Sequence, residues 1–287
     1  MADSYSKFSK SQQVVAVELE EDIQEQVLPH VAEEGPTSQP FTVLELGSGP
    51  GNNSSQILAT IVLNVLMVTK DRQIMIYCED LPDNKWSDVF SMLQPLLAAT
   101  GASEDQIFIA GIGRSFYGPL LPNSSVDVVF SSTALHWLPP DRFYHVTSFT
   151  NKRIFPPSNS VTTEDNKNLT EYARKFWAKM FRSRASELKK GKFFSAAIVL
   201  DSTSTGLEFD KKMNAFGDLM TATFPFELVP SELWNKLTLP CWFMSKETLD
   251  VFFNENNKPN EYNMSNLYSL ASVRRIDGTC CATETFR

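Results

Sequence analysis

Gly47, Gly49 and Gly51 fall within five positions, directly behind the apolar run that ends at Leu46. The whole chain has only twelve glycines. Three this close imply a backbone requirement: a turn at positive φ whose N–H groups can lie flat against a ligand. Asp80 ends a second apolar run, where a carboxylate can accept both hydroxyls of a ribose. Further on, Gly113 to Gly118 (GRSFYG) carries Phe116, a ring able to stack on an adenine. Ser131 to Leu138 (SSTALHWL) carries His136 and Trp137, and the Trp137 indole N–H can donate to an anion. Each residue alone also has an ordinary explanation. Asp80-Leu81-Pro82 can be a solvated turn, the two aromatics core residues, and His136 a structural histidine. Their order on successive apolar runs gives them joint weight.

Three readings of the glycine turn compete. A dinucleotide fingerprint needs G-x-G-x-x-G opening a helix, whereas here the third glycine comes one residue early and Pro50 sits inside the loop. A P-loop is excluded because no Lys-Ser/Thr follows. Acid-x-Gly-x-Gly-x-Gly after a first strand resembles the pattern of S-adenosylmethionine methyltransferases. That cofactor's ammonium group gives Glu45 a partner, and its lack of phosphates removes the need for a helix N-terminus.

These residues need elements to position them. Val14, Val15, Leu19, Ile23 and Val27 recur at helical spacing, predicting an amphipathic helix from about Gln12 to Val31, broken by Gly35-Pro36. Phe41 to Leu46 reads as a buried strand, and Asn53 or Ser54 caps a helix running to about Lys70. Strands are predicted at Gln73 to Cys78, Gln106 to Ala110, Val126 to Ser131 and Lys192 to Leu200. Helices are predicted at Trp86 to Thr100 and Leu169 to Lys190, the latter closed by Gly191 as a C-cap. Strands alternating with helices imply an α/β fold with a doubly wound, mostly parallel sheet. The organisation expected is an α/β domain over 1–200, a helical cap over 201–253 and a weakly patterned tail over 254–287. Phe216, Leu219, Phe224, Phe226, Leu233, Trp234, Trp242 and Phe243 among three prolines carry the cap reading. In the tail, Tyr268 to Ile276 is the one strand candidate.

Composition sets outer bounds. A formal net charge of −8 leaves no basic stripe to displace counterions, so no nucleic-acid partner is expected. The four cysteines form no C-x-x-C pair and the histidines do not cluster near them. No disulfide framework or metal site is therefore expected, and a reducing compartment suits them. The polar start predicts no signal peptide, and no run is apolar enough to span a bilayer. The expected location is cytoplasmic.

Taken together, these motifs resemble the SABATH family, the plant salicylate, benzoate, jasmonate and theobromine methyltransferases. The resemblance rests on Ser4-Tyr5 with Ser9 and Gln12, Glu45-Leu46-Gly47 through Asn53, Asp80-Leu81-Pro82-Asp83-Asn84, Ser115-Phe116-Tyr117-Gly118, and Ser131-Ser132 through His136-Trp137-Leu138. It is dense to Leu138 and thinner through Lys189-Lys190-Gly191. It implies a class I, Rossmann-like methyltransferase that uses S-adenosylmethionine to methylate a small carboxylic acid or, in one branch, a purine nitrogen. Residue by residue, it implies that Ser9, Glu45, Gly47, Asn53, Asp80, Leu81, Ser115 and Phe116 hold the cofactor. Gln12, His136 and Trp137 hold the substrate carboxylate. Glu45 stands where aspartate is usual, which keeps the charge. Thr133 stands where carboxylate-methylating members commonly carry an aromatic, so a wider or differently shaped acyl pocket is expected. Family members continue through a helix and a final strand pair that the tail from Arg274 to Arg287 is not expected to supply, which raises the prospect of a truncated or alternatively spliced product. The resemblance leaves a homodimer open as the assembly.

The expected mechanism is an in-line displacement at the methyl carbon. A carboxylate with a pKa near 4 is already ionised at neutral pH, so no general base and no catalytic dyad is needed. Proximity and desolvation, with the oxygen held ~3 Å from the methyl carbon, supply the rate. Two rivals remain: a non-catalytic binding protein that keeps the fold, and a nicotinamide-dependent oxidoreductase.

Overall fold

The computed structural model describes residues 10–35, 37–52, 54–139, 163–199, 240–243, 247–249, 251–252, 270–275 and 281–286. In chain order its elements are helix α1 (Lys10–Glu34), strand β1 (Phe41–Leu46), α2 (Ser55–Val68), β2 (Ile74–Asp80) and α3 (Trp86–Ala98). β3 (Ile107–Gly113), β4 (Val126–Ser132), α4 (Thr163–Glu187), β5 (Leu188–Val199), β6 (Leu270–Arg275) and β7 (Cys281–Phe286) follow.

One seven-stranded sheet runs in the order β3-β2-β1-β4-β5-β7-β6. The first five strands are parallel, while β7 is antiparallel to both β5 and β6. The strand order reverses between β1 and β4, and in an open α/β sheet ligands bind outside the carboxyl ends of the strands at such a point.

All six residues of β1 are buried, as a strand covered on both faces requires. Its alternate side chains go to opposite cores. Phe41 and Val43 join Leu19, Ile23 and Val27 of α1 and Ile57, Ile61 and Val65 of α2. Leu44 and Leu46 join Trp177 and Phe181 of α4 on the other face. No helix among the described residues is long and apolar enough to cross a membrane.

Two sequence expectations change. Gly191 is not a helix cap. α4 ends at Glu187, and Gly191 lies inside β5 at φ +78°. There the partner register jumps, from Val126 opposite Leu188 to Val128 opposite Phe193. Extra residues on one strand must bulge, and glycine takes the left-handed conformation such a bulge uses. The tail also supplies a strand, β7, that it was not expected to have. β6 matches the Tyr268 to Ile276 candidate, and β7 pairs from Phe194 opposite Phe286 to Val199 opposite Cys281. Of the expected cap, Trp242, Phe243, Leu249 and Phe252 are described and buried. Phe216, Leu219, Phe224, Phe226, Leu233 and Trp234 lie outside the described residues.

Candidate functional site

The glycine turn leaves β1 at the carboxyl edge of the sheet, and all three of its glycines take positive φ: +71° at Gly47, +54° at Gly49 and +89° at Gly51. Gly47 has a second reason to lack a side chain. A Cβ there would meet the Cβ of Ala134 at 2.3 Å, so the turn packs directly on the loop after β4.

The turn's amides do not face outward as the sequence suggested. Gly47 N–H donates to the Glu79 carbonyl at 2.9 Å and to its carboxyl Oε2 at 3.1 Å. Ser48 N–H donates to the same carbonyl, Gly49 N–H to Asp80 Oδ2 at 2.7 Å, and Gly51 N–H to the Ser48 carbonyl. Asn84 Nδ2 in turn donates to the Gly49 carbonyl at 2.7 Å. The end of β2 thus holds the turn, and what the turn offers a ligand is close approach rather than a nest of donors. α2 behaves consistently: Ser54 stands at its N-cap without a side-chain capping bond.

Beside this turn lies a cavity of about 330 Å³, within the usual range for small-ligand pockets. Its wall contains three carboxyl groups, Glu45, Glu79 and Asp80, and no lysine or arginine among the described residues. Burial dominates the titration of all three. It pushes Glu45 up to about 7, with the Ser54 hydroxyl and Cys78 thiol pulling back and the Asp80 charge adding to the rise. Burial takes Glu79 to about 9, opposed by the Gly47 amide, raised further by Asp80, and opposed again by the Arg184 cation. Asp80 is also raised by burial, against the amides of Leu81 and Gly49. Glu45 Oε2 and Glu79 Oε1 are buried without a hydrogen-bond partner. At neutral pH burial keeps Glu79 mostly protonated and Glu45 about half so. The spare acceptor oxygens still suit an ammonium, which would draw these carboxyls toward ionisation, and the wall offers no cation to a pyrophosphate among the described residues.

Of the residues expected to hold a cofactor, Glu45, Gly47, Asp80, Leu81, Ser115 and Phe116 all line this cavity. Ser9 and Asn53 lie outside the described residues. On the acceptor side, Thr133 and Trp137 line it too. Thr133 holds φ +59°, an unusual conformation for a β-branched residue, with its amide donating to Ala197 and its hydroxyl to the Ser132 carbonyl. Gln12 is on α1, but its side chain lies outside the described atoms.

His136 is not on the cavity wall. It is buried and stacks on Phe243 at 5.1 Å, and burial pushes its pKa down to about 4, so the ring is neutral at neutral pH. Its carbonyl accepts from Trp242 N–H, and the Leu138 amide donates to Pro240, which ties the 240–243 segment to the loop.

Sequence reasoning missed four contributors. Glu79 sits one residue before the expected carboxylate, and only the pairing of β1 with β2 reveals that it braces Gly47. Asn84 belongs to a quoted motif, yet its bond to Gly49 spans 35 positions. Arg184 and Glu187 form a fully buried ion pair at 2.8 Å beneath the Phe116 loop, with nothing in the sequence to separate them from a surface i,i+3 pair.

The comparisons agree with this geometry. Over 193 residues, 58% of this chain and 46% of the relative, the sequence is 30% identical to indole-3-acetate O-methyltransferase 1 of Oryza sativa subsp. japonica. Over 210 residues, 66% of this chain and 53% of the relative, it is 27% identical to the Arabidopsis thaliana indole-3-acetate O-methyltransferase 1. The chain therefore spans about half the length of these curated relatives. A solved loganic acid methyltransferase with SAH shares the fold, with a TM-score of 0.73 at 18% identity over 96% of this chain and 77% of that one. The model of the SAM-dependent carboxyl methyltransferases matches residues 1–267, and the chain belongs to that family.

Proposed function

We propose that this chain binds S-adenosylmethionine in the cavity beside the glycine turn and methylates the carboxylate of a small acid. The observation that carries the reading is the cavity wall, with three carboxyls and no basic residue. A sulfonium and an ammonium draw these carboxyls toward ionisation and are stabilised there, whereas the pyrophosphate of a nicotinamide dinucleotide would find no cation on the described wall to pair with. Glu45 and Glu79 offer unpartnered carboxyl oxygens, Asp80 a carboxylate for hydroxyl groups, and Phe116 a ring for a base.

When bound, the cofactor supplies an electrophilic methyl group, which passes to an acceptor oxygen as the carbon–sulfur pair returns to sulfur. The chain's own part is to position and desolvate. Trp137, 41% exposed, is the described donor able to orient an acceptor carboxylate, and Thr133 shapes the space beside it. His136, neutral and stacked on Phe243, stands next to Trp137 and would complete the cradle for the acid. No base is required, because a carboxylic acid is ionised at neutral pH. The relatives' names make indole-3-acetate the first acid to try.

The same proposal places the protein in the cytoplasm, supported by Cys78, a free and buried thiol. It includes a homodimer, to be checked by light scattering, and no nucleic-acid partner.

Isothermal titration with S-adenosylhomocysteine, on the wild type and on Asp80→Ala, tests the cofactor half. Binding that is lost in the variant supports it. A folded wild type that ignores S-adenosylhomocysteine sinks it. Turnover with a panel of carboxylic acids tests the other half, and binding without turnover on any acid would favour the non-catalytic rival.

A further inference from the structure

Phe116 belongs to a loop between β3 and β4 that has no regular hydrogen-bonding partner strand of its own, yet its backbone is pinned from beneath by two side chains of α4. Arg184 Nη1 donates to the Phe116 carbonyl at 3.1 Å, and Arg184 Nη2 donates to the Gly118 carbonyl at 2.9 Å and to Glu187 Oε1 at 2.8 Å. The same Glu187 oxygen accepts the amides of Leu120 at 2.6 Å and Leu121 at 3.2 Å. Both side chains are about 1% exposed. A pair buried this fully carries a desolvation penalty that well-packed apolar residues would avoid, so its presence calls for a role other than net stability. The rigid guanidinium fork holds two loop carbonyls and a carboxylate at once, a geometry that a lysine ammonium cannot reproduce.

We infer that Arg184, held by Glu187, is a positioning residue for cofactor binding: it fixes the Phe116 backbone so that the ring stands at the cavity wall. This rests on the reading that Phe116 contacts the cofactor. Arg184 is not itself among the residues lining the cavity, so any effect it has on the cofactor passes through the loop.

A double-mutant cycle reads this directly. S-Adenosylhomocysteine affinity is measured by calorimetry for the wild type, Arg184→Lys, Phe116→Ala and the double variant, with a thermal melt of each. Arg184→Lys is expected to weaken binding about tenfold, and the double variant to bind no more weakly than Phe116→Ala to within about twofold, because contacts in one chain of action are non-additive. In turnover, the KM for S-adenosylmethionine should rise while kcat holds. A merely structural arginine would lower the melting temperature and leave both affinity and KM unmoved. Unchanged affinity in folded Arg184→Lys, or additive losses beside a weakened Phe116→Ala, overturns the inference alone. Full affinity in Phe116→Ala overturns the cofactor reading of the loop and the inference with it. Should Arg184→Lys fail to fold, Glu187→Gln takes its place in the same cycle, since the amide oxygen still accepts from Leu120 and Leu121 while the arginine loses its counter-charge. The expected and overturning results are the same.

Discussion

At the residue scale, Gly47 is constrained twice, by φ +71° and by Ala134, whose Cβ would clash with any Cβ placed on Gly47. Left-handed backbone costs a non-glycine residue about 1–2 kcal/mol, and forcing an extra methyl into a packed site costs about 1–3 kcal/mol more. Gly47→Ala should therefore lose about 3 kcal/mol in urea unfolding. Adding Ala134→Gly should restore the packing part and leave the backbone part. Full restoration by the second change would show that φ costs nothing there.

The carboxyl trio gives a second prediction at this scale. Glu45 and Glu79 have folded pKa values raised to about 7 and about 9 from an ordinary 4.5. Between the ordinary and the raised values the folded chain holds more protons than the unfolded one, so stability falls as pH rises. The stabilising contribution is fully present below about pH 4.5 and is lost progressively up to about pH 9, with a slope of at most about 1.4 kcal/mol per pH unit per group. Because Glu45, Glu79 and Asp80 interact, the slope belongs to the cluster. Glu45→Gln should flatten the segment between about pH 4.5 and 7 in chemical denaturation across pH. An unchanged profile would mean that Glu45 is ionised in the folded protein. The same charge logic makes cation binding tighten as pH rises.

At the element scale, α4 serves as a backplate for the loops that form the cavity. Tyr172 donates to the Pro139 carbonyl at 3.1 Å, Trp177 Nε1 to Leu135 at 3.0 Å, and Arg184 to Phe116 and Gly118. The two loops are also tied to each other, because Tyr117 donates from its hydroxyl to the Trp137 carbonyl at 2.8 Å. Tyr117→Phe leaves that carbonyl without its donor and should cost about 1–2 kcal/mol of stability. Since Trp137 stands on the acceptor side, the KM for the acid should rise while S-adenosylhomocysteine affinity stays. Equal losses in both would show that the tie serves the whole cavity.

What was legible in the sequence follows the same divide. The glycine turn, the runs of β1, β2 and β4, the acid at the end of β2 and the Ser115-Phe116-Tyr117 stretch after β3 are local patterns, and most of the residues that line the cavity come from them or directly follow them. Glu79 bracing Gly47, Asn84 reaching Gly49 and Arg184 reaching Phe116 are bonds across 32, 35 and 68 positions. No local pattern encodes them. His136 shows the converse. Its motif is plain in the sequence, but its stacking on the Phe243 ring, 107 positions away, is decided by the fold. Gly191 was read through its helix because a glycine after a long helical run has the same local signature whether it caps the helix or bulges a strand.

At the scale of the whole molecule, β5 decides how the sheet ends. Phe193, Phe194, Ser195, Ala196, Ala197 and Ile198 are all buried, which suits a central strand and not an edge. The β6–β7 pair makes it central: β7 pairs antiparallel with β5 over six residues, and β6 then closes on β7. Without that pair, β5 would present a long row of unpaired N–H and carbonyl groups beside apolar side chains, a template for edge-to-edge association. β5 also carries Ala197, whose carbonyl accepts the Thr133 amide, and it follows directly on Glu187 of the arginine pair. Disorder at this edge would therefore reach the cavity through both. Deleting residues 270–287 should lower the melting temperature and turn a discrete species into aggregate on sedimentation, with S-adenosylhomocysteine affinity falling in whatever remains soluble. If the shortened chain sediments as the full one does and binds equally well, β5 tolerates an open edge, and the strand pair contributes neither to the stability of the sheet nor to the shape of the site.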